Sequence, residues 1–167
     1  MPLPKDNDMN KNEFPKRKPT RLTHFDYSTP GYYFVTICCH NKKCLFREKG
    51  YLNEWGILAE QGLQAISNIY PSVRVDKFVV MPNHIHAILI IEDNNEDNQQ
   101  NLPKIIGQYK MTVTKNIRKT TPDAVIWQRS FHDHVIRNQQ DYERIWNYVH
   151  YNDQKWEQDC FYIKMEE

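Results

Sequence analysis

The longest apolar run of the chain, from Phe78 to Ile91, is broken by Pro82 and Asn83 and carries two histidines, His84 and His86. Its β-branched content predicts two strands, Val73 to Val80 and His84 to Ile91, folded about a tight turn at Pro82-Asn83. The stretch "GYYFVTICC", Gly31 to Cys39, predicts another strand. From Asn53 onward, Trp55, Leu58, Ala59, Gly62, Ile66 and Ile69 recur at helical spacing until Pro71. A second helix is predicted from Leu102 to Lys119, with Pro103 in its first turn. Ile105, Ile106, Tyr109, Val113 and Ile117 form its buried stripe. Val125 to Ile136 reads as a strand, and Asn138, with Asp141 three residues on, caps a last helix running to about Tyr151. The order β-α-β-β-α-β followed by an extra helix is the ferredoxin-like plan, an α+β fold whose antiparallel sheet carries two helices on one face.

Alternation along a strand puts residues i and i+2 on one face, so His84 and His86 project side by side while Ile85, Ala87 and Leu89 project the other way. Two imidazoles so placed can converge on one ion, or they can be half-buried histidines bonded to backbone. His132 and His134 repeat the spacing in "WQRSFHDHVIR", but Arg129 and Arg137 flank them, so this strand reads as an edge or a polar groove wall. The apolar hairpin preorganises His84 and His86 better as ligands, which leaves His132 and His134 to structure or to nucleic acid. On the last helix, Tyr142, Ile145, Trp146 and Val149 form the core stripe. Arg144, Tyr148 and Asn152 make a separate row at the border with solvent. In that row Tyr148 can simply snorkel and Asn152 simply cap the helix.

A chain of 167 residues is one domain by size. Residues 1–20 predict a flexible basic arm, 21–160 a single catalytic domain and 161–167 a tail. The apolar run is too interrupted to cross a bilayer as a helix, and Met1 to Arg21 lacks the apolar core of a secretory signal. Cys38, Cys39, Cys44 and Cys160 show no C-x-x-C spacing, which predicts free thiols in a reducing cytoplasm. A formal net charge of +1 hides a separation of charges. Lys16-Arg17-Lys18 and Arg21 make the N-terminal segment basic, and Lys104, Lys110, Lys115, Arg118 and Lys119 occupy the second helix with no acid among them. The acids collect between Glu92 and Asp97, in an asparagine-rich stretch that predicts a solvated loop. This pattern permits a basic phosphate-binding face on a neutral protein.

The "MPNHIHAILII" strand resembles the histidine-hydrophobic-histidine motif of the HUH single-strand DNA nucleases. Together with "WQRSFHDHVIR" and "YERIWNYVHYN", it makes residues 20 to 158 resemble the REP-associated and related single-tyrosine transposases of the insertion-sequence 200-like type. The resemblance implies a nucleophilic tyrosine at Tyr148 and a metal ligand one turn later at Asn152, joining His84 and His86. It departs at Asn152-Asp153, where family members often continue Asn-Pro. It further implies magnesium or manganese as cofactor, and attack of Tyr148 on phosphorus to give a 5′-phosphotyrosine and a free 3′-hydroxyl. The implied partner is single-stranded or stem-loop DNA, cut and rejoined by a monomer or homodimer. Its backbone would be held by Lys104, Lys110, Lys115, Arg118, Lys119, Arg129, His132, His134, Arg137 and Arg144, with Trp127 stacking on bases. A replication initiator or relaxase-like nickase shares the two-histidine strand and the tyrosine, and a non-catalytic nucleic-acid binding module is the alternative outside enzymes.

Overall fold

A computed structural model describes residues 19–93 and 100–164. Most of the expected N-terminal arm, the centre of the acidic stretch and residues 165–167 of the tail lie outside the described residues. In chain order the elements are β1 (Gly31–Cys38), β2 (Arg47–Glu48), β3 (Tyr51–Leu52), α1 (Glu54–Gln64), α2 (Ile66–Ile69), β4 (Val73–Val80), β5 (His84–Ile91), α3 (Leu102–Ile117), β6 (His132–Ile136) and α4 (Gln139–Tyr151). Strands β4–β5–β1–β6, in that order, form one antiparallel sheet, which is the ferredoxin-like arrangement.

Local chemistry explains most of these boundaries. The Met81 N–H donates to the His84 carbonyl at 2.8 Å and closes the Pro82-Asn83 turn. Asn101 and Asn138 sit at the N-caps of α3 and α4, where their side chains accept from the N–H groups of Lys104 at 2.9 Å and Asp141 at 2.8 Å. The β2–β3 hairpin, which strands of two residues leave almost invisible in sequence, turns on Lys49 and Gly50. Both have positive φ (49° and 83°), as the tightest hairpin turn requires.

Two expected elements differ. The first helix breaks at Ala65 into α1 and α2. The strand expected from Val125 is regular only from His132 to Ile136. Ahead of it, Trp127 makes an isolated bridge with Cys39 at the end of β1, flanked by hydrogen bonds from Gln128 N–H to the Cys38 carbonyl at 2.9 Å and from His40 N–H to the Ile126 carbonyl at 2.8 Å. Ser130 then takes a left-handed φ of 69°, which no continuous strand tolerates. Lys110 holds this kink, its ammonium donating to the carbonyls of Ser130 and, at 2.9 Å, of Gln128.

Helices α1 and α3 cover one face of the sheet, where Ile85, Ala87, Leu89 and Ile91 of β5 join Val35, Leu63, Ile105, Ile106 and Val113 in the main core. Helix α4 lies on the other face. Its Ile145 and Val149 pack on Ile88 and Ile136, with Tyr142 and Trp146 beside them. The Tyr142 hydroxyl ties the helix to Asp76 at 2.6 Å, where the β4–β5 register shifts. His84 and His86 share the parity of Ile88, so α4 is the helix that faces them.

Candidate active site and metal centre

Both imidazoles are buried, 0% and 1% exposed, and their Nε2 atoms stand 3.0 Å apart. Each Nδ1 has its own partner. That of His84 meets Asn83 Oδ1 at 2.8 Å, and that of His86 meets Thr36 Oγ1 at 2.8 Å. Asn83 fixes the first tautomer, because its Nδ2 is committed to the carbonyls of Lys42 at 3.2 Å and Phe161 at 2.8 Å. Its Oδ1 can therefore only accept, so His84 carries a proton on Nδ1 and turns Nε2 toward His86. Burial pushes His86 down to about 4, with the neighbouring imidazole acting in the same direction and the Asp159 carboxylate opposing it. Two imidazoles with their Nε2 atoms side by side, each oriented by a hydrogen bond at Nδ1, are a donor arrangement suited to a divalent ion.

Thr36→Val tests that support: it keeps the volume but removes the oxygen behind His86. We expect Mn(II) affinity to fall roughly 10- to 100-fold with the fold retained. An unchanged titration would mean that Thr36 does not orient the ring.

From α4, the Tyr148 hydroxyl reaches to 3.2 Å from His86 Nε2 and donates to Asp159 Oδ2 at 3.3 Å. Its ring lies 5.1 Å from His86 and 6.2 Å from Phe34. Burial, then the charge of Asp159, holds the phenol well above its ordinary value, so it is protonated until positive charge arrives. One turn on, Asn152 is buried and its Nδ2 has no partner among the described residues. A cleft of about 330 Å3 opens here, lined by Arg144, Tyr148, Asn152, Lys155 and Asp159 among others. One chain thus supplies both imidazoles, the phenol and the amide.

Four features escaped the sequence reading, Thr36 behind His86 among them. Asp159 stands with its carboxylate 3.6 Å from His84 Nε2 and 3.9 Å from His86 Nε2. Burial alone would raise its pKa, but the two imidazoles and the Phe161 N–H outweigh burial and hold it far below the carboxylate range. Phe161, assigned to the tail, packs its ring 4.6 Å from His84. Asp153, where the resemblance expects proline, pairs with Arg47 at 2.7 Å while Arg47 Nε donates to the Val80 carbonyl at 2.8 Å. That pair ties the end of α4 to the edge of the sheet. Thr36 alone carried a readable signal, as a hydroxyl inside an apolar strand.

The residues expected to hold DNA fall into separate groups. Lys104 and Lys115 on α3, and Arg118 and Lys119 just past its end, are exposed across the sheet from the histidine pair. Arg118 also donates to the Ala124 carbonyl at 3.0 and 3.1 Å. Lys110 is committed to the Ser130 kink. Trp127 is half-buried against Phe46 and Tyr109, its indole N–H bonded to the Lys110 carbonyl at 3.1 Å. These two side chains are therefore engaged inside the fold. On the site face, Arg129 and His132 line a cavity of about 280 Å3 with Cys38 and Thr20. Arg137 is exposed, and His134 and Arg144 both pair with Asp141, at 2.6 and 2.7 Å.

Residues 28–152 match the family model described as IS200-like transposase. An uncharacterized Haemophilus influenzae protein is 34% identical over 168 residues, covering 88% of this chain and 93% of that one. A second protein of that organism, provisionally named a REP-associated tyrosine transposase, is 25% identical over 133 residues, covering 76% of this chain and 72% of that one. The fold is shared with the solved structure of a REP-associated tyrosine transposase bound to a REP hairpin, at a TM-score of 0.55 and 21% identity over 81% of this chain and 72% of that one.

Proposed function

The chain belongs to the IS200-like transposase family, and we propose that it is a metal-dependent endonuclease and strand transferase that cuts and rejoins single-stranded or stem-loop DNA through Tyr148. The observation that carries this reading is the Tyr148 hydroxyl, 3.2 Å from His86 Nε2 and beside the paired imidazoles in one chain. The hairpin bound to the solved relative supports the choice of substrate.

His84 and His86 would offer two imidazole nitrogens, and Asn152, at the C-cap of α4, its amide oxygen. Two imidazoles suit manganese better than magnesium, which prefers oxygen donors. A divalent ion bound by these residues would supply the positive charge that polarises the scissile phosphate and offsets the charge developing on its oxygens. Tyr148 forms the new O–P bond, the P–O3′ bond breaks, and the 3′-oxygen leaves to become a free hydroxyl. Because the phosphotyrosine conserves a phosphodiester, a different 3′-hydroxyl can reverse the step without ATP, and cleavage becomes transfer. Arg144 and Lys155 in the cleft, with Arg129 and His132 beside it, hold the backbone near the cut. In this reading His84, His86, Tyr148 and Asn152 of one chain act together.

The test is a stem-loop oligonucleotide with a single-stranded flank, labelled at its 3′ end. In manganese or magnesium the label should migrate with the protein on a denaturing gel, and a chelator should prevent it. Absence of adduct from single-stranded and stem-loop DNA in both ions would sink the reading.

A further inference from the structure

We propose that Asp159 is a third protein ligand of the ion held by His84 and His86, so that the segment following α4 closes the metal centre. The inference rests on the reading of the histidine pair as a metal site, but it assigns a ligand that the family resemblance does not. That resemblance takes its ligand from α4, at Asn152.

Geometry is the first support. The two Nε2 atoms and Asp159 Oδ2 are separated by 3.0, 3.6 and 3.9 Å. A circle through three such points has a radius of about 2.1 Å, which is the bond length from imidazole or carboxylate to a divalent transition ion. The spacing therefore lets a single ion lie at bonding distance from all three. Charge is the second support. The Asp159 side chain is buried, and among the described residues the basic groups within 4.0 Å of its carboxylate are the two imidazoles. A buried carboxylate is costly to keep without compensating positive charge, and a divalent ion would supply it. Construction is the third. Asn83 bonds His84 through its oxygen and the Phe161 carbonyl through its nitrogen, while the Phe161 N–H donates to Asp159 Oδ1 at 2.7 Å. One asparagine thus sets both the first imidazole and the segment that delivers the carboxylate. With two nitrogens and one carboxylate on it, the ion keeps positions for Asn152 and for phosphate.

Mn(II) titration of the full chain, read from the electron paramagnetic resonance of the free ion, tests the assignment. Melting temperature with and without Mn(II) gives a second readout. Asp159→Asn keeps the shape and the acceptor for Phe161, and its melting in chelator reports that it folds. Asp159→Ala gives an independent reading, His86→Ala marks loss of the site, and Asp123→Asn is the remote control. We expect His86→Ala and both Asp159 variants to bind Mn(II) more than roughly tenfold more weakly and to lose most of the Mn(II)-induced rise in melting temperature, with Asp123→Asn unaffected. Wild-type or tighter binding by the Asp159 variants, with binding lost in His86→Ala, overturns the ligand assignment and leaves the proposed function standing. Failure of the wild type itself to bind Mn(II) overturns both.

Discussion

Tyr148→Phe should abolish the covalent protein–DNA adduct and lower strand cleavage roughly 10^4-fold or more, because the variant lacks the oxygen proposed to form the O–P bond. The variant removes one oxygen and its contacts to His86 and Asp159, at 3.2 and 3.3 Å. Each is worth about 1 kcal/mol, and the ring keeps its packing on Phe34 and His86, so the melting temperature should hardly move. Binding of a stem-loop in chelator should also persist. The rival nucleophile within the cleft is Tyr151, which lies on the outer side of α4 and is 44% exposed. An adduct that survives in Tyr148→Phe and disappears in Tyr151→Phe would reassign the nucleophile.

His86→Ala should remove several kcal/mol of transition-state stabilisation, roughly 10^3-fold or more in cleavage rate, by dismantling the proposed metal centre. The loss reaches beyond one ligand. His84 loses the neighbour that stands 3.0 Å from its Nε2, and Thr36 Oγ1 is left without its partner in a buried site. Stability should fall by about 1–3 kcal/mol, from the hydrogen bond and from the space left behind. His132→Ala is the contrast. His132 pairs with Thr36 across the β1–β6 ladder but is exposed at the sheet edge, so its removal should leave the metal concentration needed for cleavage unchanged. A metal defect in His132→Ala and none in His86→Ala would show that the wrong pair had been chosen.

The elements that sequence made legible are those closed by bonds between near neighbours. Asn138 caps α4 through a hydrogen bond three residues away, and the Pro82-Asn83 turn closes through Met81 and His84. The alternation that sets His84 and His86 apart from Ile85 and Leu89 is a property of any strand. Departures arose where a distant group overrode local preference. Val125 to Phe131 has the composition of a strand, yet the Lys110 ammonium draws the Gln128 and Ser130 carbonyls into a kink from a helix ahead of them in the chain. The basic stripe of α3 was visible as a stripe, but not the fact that the sheet separates it from the histidines, since periodicity fixes which face is polar and says nothing about which layer the helix occupies.

What the sequence by itself determined is the α+β order, the common face of the two histidines, and the row that puts Tyr148 one turn ahead of Asn152. Those are consequences of strand and helix periods, written in a few consecutive turns. Only the tertiary structure decided that α4 lies on the histidine face and carries its tyrosine to 3.2 Å from His86. It also decided that Asp153 anchors that helix to Arg47, and that Asp159 arrives beside two imidazoles more than seventy residues earlier in the chain. No local pattern marks such a carboxylate, because its role comes from burial and from the partners that burial imposes. An aspartate in a polar C-terminal stretch reads as a solvated charge until the fold removes the solvent.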